Sequence, residues 1–398
     1  MTASHIVKET NKTIFNSAMG FFDEIGPREA FRSNRFMELL LDFAIDMTDR
    51  KASERLNRVR LETKGISPTT FRNTVEREGL SIQENMEEQC ATTLEGNGII
   101  ISESGELQTN TDFIVEERKH IPKEVVQAAA DKLEIKDFDP TDYESTEKTV
   151  NISADDVCVN RQTECRPRSK NPKEQHKRVN NTIIHIEKGD GRFIINSGTV
   201  IGAFKLLFSF LMLNNLLGIR LVFFVDGARS LNTAITNMFK KLNFKVLIDW
   251  YHLEKKFLQQ LSMALKGSKI RNAFMDKLRP ILWLGKVDKA IKLLQEIEPE
   301  KVKDQDKIDK LVKYLERVRD YIPCYALRKE LGLRNSSNAV EKANDIVVAK
   351  RQKRNGMSWS DDGSVAFASV TAVKCNGQLS SWVGSHSISF SFNNTKAA

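Results

Sequence analysis

Apolar residues recur every third or fourth position in some stretches of this chain and every second position in others. Between residues 36 and 79 the spacing is helical. Ala52, Leu56 and Val59 share one face of a helix that Thr48 can cap, and Phe71 and Val75 fall four apart on the next. Lys64-Gly65-Ile66 turns the chain between them, and Ser67-Pro68 supplies an N-cap followed by proline at the first helical position. The second helix leaves Thr69, Thr70, Arg72, Asn73 and Arg77 outside and is expected to stop at Gly79. Helix, turn and basic second helix give the outline of a helix-turn-helix, with Arg72, Asn73 and Arg77 as candidate DNA contacts; any small helical hairpin shares that outline.

Residues 100–150 are polar and acidic, interrupted by Pro122 and Pro140, and Asp137–Ser145 reads as a linker. Beyond it the period changes. Val150–Val159, Thr182–Ile186 and Arg192–Ile195 are strands, the last two split by the turn Lys188-Gly189-Asp190-Gly191. A long apolar helix near 200–216 precedes a buried strand, Arg220–Val225, an amphipathic helix near 230–241 and a strand, Phe244–Ile248. The order β-β-β-α-β-α-β predicts an antiparallel meander followed by strands joined through helices. Residues 252–330 are helical throughout, opening with Leu253, Phe257, Leu261 and Leu265 at four-residue spacing. The α/β part resumes with a helix at Asn338–Asn355 that Gly356 ends, and the serine-rich residues after it form a tail. The expected organisation is a helical DNA-binding region and linker (1–145), a first core segment (146–251), a helical insertion (252–330), a final core helix (331–360) and a tail (361–398).

Composition adds little to that outline. The 398 residues suffice for two or three domains, and a net charge of +8 favours a polyanionic partner, though only weakly. Cys90, Cys158, Cys165, Cys324 and Cys375 are scattered without a CxxC pair, which argues against a disulfide framework and a structural zinc site. Val200–Leu217 carries Lys205, Asn214 and Asn215 and runs straight into Leu221–Val225, so a buried helix and strand explain it better than a membrane span. A soluble, cytoplasmic protein is expected. No GxGxxG or glycine-lysine phosphate loop occurs, which disfavours a nucleotide-binding enzyme.

Three acidic positions stand beside apolar runs, where an unpaired charge is expensive to desolvate. Asp155 and Asp156 interrupt the first strand, Asp226 follows Leu221–Val225 directly, and Glu341 lies in the first turn of the helix from Asn338. Clustered carboxylates repel one another unless a divalent cation neutralises them, and oxygen ligands suit Mg²⁺ or Mn²⁺. Each position has a plain alternative: a strand-end turn at Asp226-Gly227, a surface Asp156, a capping box between Asn338 and Glu341. Their joint placement favours function, since an RNase-H-like fold brings these three places together. Asp249 and His252 form a D-x-x-H that either braces the site or merely caps a helix. Asn344 and Asp345 follow one turn after Glu341 as polar helix residues, and Ser336, Ser337 and Asn338 read as caps. Two basic runs complete the inventory. Arg166, Arg168, Lys170, Lys173, Lys177 and Arg178 form a loop of open role, and Lys350, Arg351, Lys353 and Arg354 are candidate DNA contacts.

The segments LLDFAIDMTDRKASERLNRV, SPTTFRNTVEREG, NISADDVCVNRQTE, LVFFVDGAR, DWYHLEKK and LRNSSNAVEKANDIVVAKRQKRNGMSWSDDGS resemble the bacterial transposases of the ISLre2 group, an uncharacterised family (UPF0236-like), and more distantly the Mutator-like transposases. The resemblance runs from about residue 36 to about 370. It implies an α/β, RNase-H-like catalytic domain with a helical insertion, preceded by an all-α region. It also implies two Mg²⁺ or Mn²⁺ ions held by a triad of Asp155 (or Asp156), Asp226 and Glu341, with transposon-end and target duplex DNA as partners and a homo-oligomer formed on DNA. A transposase-derived DNA-binding protein without cleavage, or an RNase-H-like nuclease, is the alternative.

Overall fold

The computed structural model describes residues 33–59, 65–162, 178–354 and 356–392. Two short helices, α1 (Asn34–Asp46) and α2 (Asp49–Val59), lead to α3 (Pro68–Gly96). A small hairpin follows, β1 (Ile99–Ile101) with β2 (Leu107–Thr109), and then α4 (Lys123–Lys132). The central sheet is built from β3 (Thr149–Asn160), β4 (Arg178–Lys188), β5 (Gly191–Ser197), β6 (Arg220–Val225) and β7 (Phe244–Ile248). Its order is β5-β4-β3-β6-β7. β3, β4 and β5 form the antiparallel meander, while β6 and β7 run parallel to β3. Such parallel neighbours need crossovers, and α5 (Val200–Leu213) and α6 (Arg229–Phe239) provide them.

The apolar run read as a buried helix is one. α5 buries Phe204 and Phe208 against Phe223 of β6 and Phe239 of α6, with neighbouring ring centroids 5.0–6.4 Å apart. Among the described residues no helix is long and apolar enough to cross a membrane.

Helices α7 (Trp250–Ala264), α8 (Ser268–Trp283), α9 (Val287–Gln295), α10 (Gln305–Val318) and α11 (Tyr325–Glu330) fill the stretch after β7 without adding a strand to the sheet. The chain returns through α12 (Asn338–Asn344). This helix continues without a break through a π-helical turn, Asp345–Ala349, into α13 (Lys350–Gln352).

Four expectations need correction. First, α3 does not stop at Gly79 but runs 29 residues to Gly96. A Cβ at Gly79 would lie 2.2 Å from the Ala366 carbonyl oxygen, so glycine there permits a close helix crossing rather than a helix end. Of the expected turn Lys64-Gly65-Ile66, Lys64 lies outside the described residues, and Ile66 exchanges two hydrogen bonds with Asn57 of α2. Secondly, Asp137–Ser145 is not a loose linker. Tyr143 is buried with α4 and α11, its carbonyl accepts from Ile121, and Glu144 pairs with Arg220 at 3.4 Å. Thirdly, the serine-rich end is not a tail over its described part: α14 (Asp361–Cys375) is a buried helix and α15 (Leu379–Ser385) packs beside it. Ser364 accepts from Asn181 at 2.7 Å and donates to Gln352 at 2.6 Å. Ser369 accepts from Gln83 at 2.6 Å and from Asn196 at 3.1 Å. Buried hydroxyls need partners, and these stitch α14 to α3, to β4 and β5, and to α13. Fourthly, the N-terminal helices do not form a core of their own: α1, α2 and α3 contribute Leu40, Leu56 and Phe71 to the same apolar cluster as the sheet.

Candidate active site

The register of the parallel strands brings the acids together. Ser153 pairs with Phe224, so two residues further on the same offset sets Asp155 beside Asp226. Val225 pairs with Ile248, which sets Asp226 beside Asp249. Three aspartates therefore form a row across neighbouring strands at the carboxyl ends of β6 and β7, with about 4.8 Å between strands.

Burial and the neighbouring Asp226 push the Asp155 carboxyl up to about 6, against a smaller opposing pull from His252. Asp156 is also raised, first by burial, while a 2.6 Å hydrogen bond donated by the Thr182 hydroxyl opposes this. Asp155 is the better placed of the doublet. Its Oδ2 accepts from the Asn344 amide at 2.7 Å, which ties β3 directly to the Glu341 helix. Asn344, read from sequence as an ordinary polar helix residue, is thus a contact of the first acid, and its buried Oδ1 has no hydrogen-bond partner among the described residues.

Asp226 sits where β6 ends, its Oδ1 accepting from the Ala228 amide at 2.7 Å. Gly227 behind it has φ +85, and a Cβ there would lie 2.9 Å from the Tyr314 hydroxyl oxygen, so the position requires glycine. Asp249 is fully buried and joins three segments. One oxygen accepts from the His252 amide at 2.9 Å, capping α7; the other accepts from the Ser337 hydroxyl at 3.1 Å and from the Ser337 amide. Asp249 thus caps α7 and ties its start to Ser337. Ser337 does not cap α12 with its side chain, and no capping box forms between Asn338 and Glu341.

His252 completes the link, its Nε2 lying 2.9 Å from Glu341 Oε1. The site thus joins Asp155 to Asn344, Glu341 to His252, and His252 through its backbone to Asp249. Among the described residues, however, no three His, Cys, Asp or Glu side chains are grouped so as to hold a metal ion.

The candidate DNA contacts separate. Arg72, Asn73 and Arg77 are exposed on the first half of α3, Arg72 lying 3.8 Å from Glu76 and Arg77 3.2 Å from Glu78. Lys353 and Arg354 are exposed, and Lys350 pairs with Asp46 at 2.5 Å. Arg351 is a correction. It is buried, bonded to Asp49 at 2.5 Å and to the Ala44 carbonyl at 3.1 Å, and stacked over Trp359 and Phe367, so it fastens α13 to α1 and α2. Of the basic loop only Arg178 falls among the described residues.

Residues 209–385 match the model of an uncharacterised protein family, UPF0236. This segment is UPF0236-like. Among solved structures, the Drosophila P element transposase strand transfer complex is similar, with 12% sequence identity and a TM-score of 0.33 over 93% of this chain and 98% of that one. No curated protein matches the chain.

The UPF0236-like segment also supplies residues at the site that periodicity alone did not single out. Lys256 on α7 lies 4.2 Å over the Tyr314 ring, and Arg317 on α10 donates to the Gly227 carbonyl at 3.3 Å. Both belong to the stretch read simply as helical. Burial pushes the Tyr314 hydroxyl up to about 12 and the Lys256 amine down from its ordinary value. The sequence signal was the pair of lysines after the D-x-x-H, of which Lys256 reaches Tyr314 while Lys255 lies exposed over the Tyr251 ring.

Proposed function

We propose that the chain is a DDE-type transposase with an RNase-H-like core, which cleaves DNA at transposon ends and joins those ends to target DNA. Asp155, Asp226 and Glu341 are its catalytic acids. The observation that carries this is the strand register that aligns Asp155 with Asp226 while Asn344, one turn beyond Glu341, bonds to Asp155.

The donor set was tested against the divalent cations this chemistry uses. Asp155 and Asp226 fit: they are oxygen donors on adjacent strands, and their mutual repulsion helps to hold the Asp155 carboxyl at about 6, a penalty that a cation removes. Glu341, paired with His252, would join them as a ligand only with its carboxylate free of that imidazole. When bound, Mg²⁺ or Mn²⁺ would activate the attacking oxygen and stabilise the leaving one. The chain's own residues do the rest. Asp249 and Ser337 fix where α12 begins, and Lys256 and Arg317 bring positive charge to the end of β6, where a phosphodiester would need it. Duplex DNA is the proposed partner, engaged by a homo-oligomer assembled on it.

The test is Asp226→Asn, which keeps the shape and removes the charge. Strand cleavage on the element's own ends should fall by orders of magnitude and vanish for the wild type in chelator, while a gel shift with the same DNA is unchanged. Full cleavage by Asp226→Asn would falsify the mechanism. A transposase-derived DNA-binding protein without cleavage is the second reading, favoured by the Glu341–His252 contact, which engages an oxygen of the third acid. It predicts binding without cleavage in the wild type at any Mg²⁺ or Mn²⁺ concentration.

A further inference from the structure

A groove of about 700 Å³ runs between α2 and the far end of the Glu341 helix. Lys51, Arg55 and Arg58 line one wall at spacings of four and three, which sets them on one face of α2. Lys350 and Arg354 line the other. Two acids also face the groove. Asp46 is taken by Lys350, and Glu54 lies 3.8 Å from Arg50 outside it. Arg55 rests over the Phe43 ring at 5.3 Å. Among the described residues Lys51, Arg58 and Arg354 have no ion-pair partner, and all three are exposed. Like charges facing one another across a cleft repel, and a polyanion relieves that repulsion.

We infer that this groove seats the sugar-phosphate backbone of duplex DNA, so that α2 and the end of the Glu341 helix grip one strand together. The inference rests on the transposase reading for its substrate and adds Lys51, Arg55 and Arg58 to the DNA-contacting surface. Two observations select duplex over single strand. Among the described residues no aromatic side chain lines the groove to stack an unpaired base. Along the helix, whose last residue is Gln352, the chain reaches roughly 16 Å beyond Glu341 at 1.5 Å per residue before Arg354, close to half a turn of B-DNA. A duplex lying in the groove therefore presents a backbone phosphate near the acids without bending.

The experiment measures binding of a labelled duplex to the full chain by fluorescence anisotropy between about 50 and 200 mM salt in chelator, where nothing is cleaved. The triple variant Lys51→Gln, Arg58→Gln, Arg354→Gln should flatten the slope of log K against log salt by about 2.7, since each phosphate-contacting cation contributes about 0.9. A control triple on the helical insertion (Lys269→Gln, Lys289→Gln, Lys313→Gln) removes the same charge and should leave the slope within about one. In the wild type, bound duplex should protect Lys51 from acetylation, a readout independent of any variant's folding. An unchanged slope, equal flattening by both triples, unprotected Lys51 or preference for single strands would each overturn the inference. Failure of the transposase reading looks different: Asp226→Asn would then cleave normally, whatever the salt slope of the triple.

Discussion

Two titratable side chains on neighbouring strands, one buried and one half-buried, are pushed in opposite directions by one cause. Burial disfavours charge, so it raises Asp155 to about 6 and lowers His185 on β4 from 6.5 to about 4. Glu187 pulls His185 back upward, but Arg334 and Arg192 oppose it, and the imidazole stays neutral at pH 7 despite lying 3.7 Å from Glu187. A folded-state pKa below the unfolded value gives stability that is intact above pH 6.5 and is lost as pH falls toward 4. Between pH 7 and 4.5 this group alone should remove about 2–3 kcal/mol. Urea unfolding of the wild type and His185→Gln at both pH values checks it. The variant should lose less stability than the wild type by that amount, and parallel losses would refute the assignment. Asp249 makes a different point at the same scale: one carboxylate serves as helix cap, as brace for Ser337 and, through the first turn of α7, as the reference for His252.

The crossing of α3 and α14 offers a test in which two effects have opposite signs. In an exposed helix Gly→Ala stabilises by about 1 kcal/mol through propensity. At Gly79 the added Cβ meets the Ala366 backbone at 2.2–2.6 Å, so overpacking should win and Gly79→Ala should destabilise by about 1–3 kcal/mol. Gly96, at the end of the same helix, has nothing within 4 Å, and Gly96→Ala should be neutral or mildly stabilising. Thermal unfolding of the two variants compares them directly. Elements of this size were legible in the sequence where one physical pattern acted alone. The strands Arg220–Val225 and Phe244–Ile248 appear at the residues their apolar runs mark, and the acids stand beside those runs. Legibility failed where a local signal has two causes. Gly79 reads as a helix end but serves close packing. Ser364 and Ser369 stand in the stretch expected to be a tail, yet they bond to buried amides. Arg351 reads as surface charge, yet its partner Asp49 lies about 300 positions away in the chain. Asn344 became a site residue only once the fold carried it to Asp155.

At the scale of the whole molecule, the main apolar cluster is shared by the N-terminal helices, the sheet, the inserted helices and α14. A chain ending at Ser360 would lose Phe367, Val370 and Trp382, all buried, and strand the amides of Gln83, Asn181 and Asn196. Such a truncation should lack cooperative urea unfolding rather than behave as a shortened enzyme. A single sharp transition near the wild-type midpoint would contradict this. The π-helical turn at Asp345–Ala349 has a consequence for the same architecture. It accommodates one extra residue in a helix whose near end faces the acids and whose far end lines the basic groove. Removing one residue there would leave Glu341 where it is and rotate everything beyond by about 100°. Arg351 would swing out of the interior, and Lys350 and Arg354 would turn away from α2. On the proposed function, gripping and cutting would thus be indexed to each other like the two ends of a keyed shaft, and a length change in this turn would shift their phase rather than damage either end.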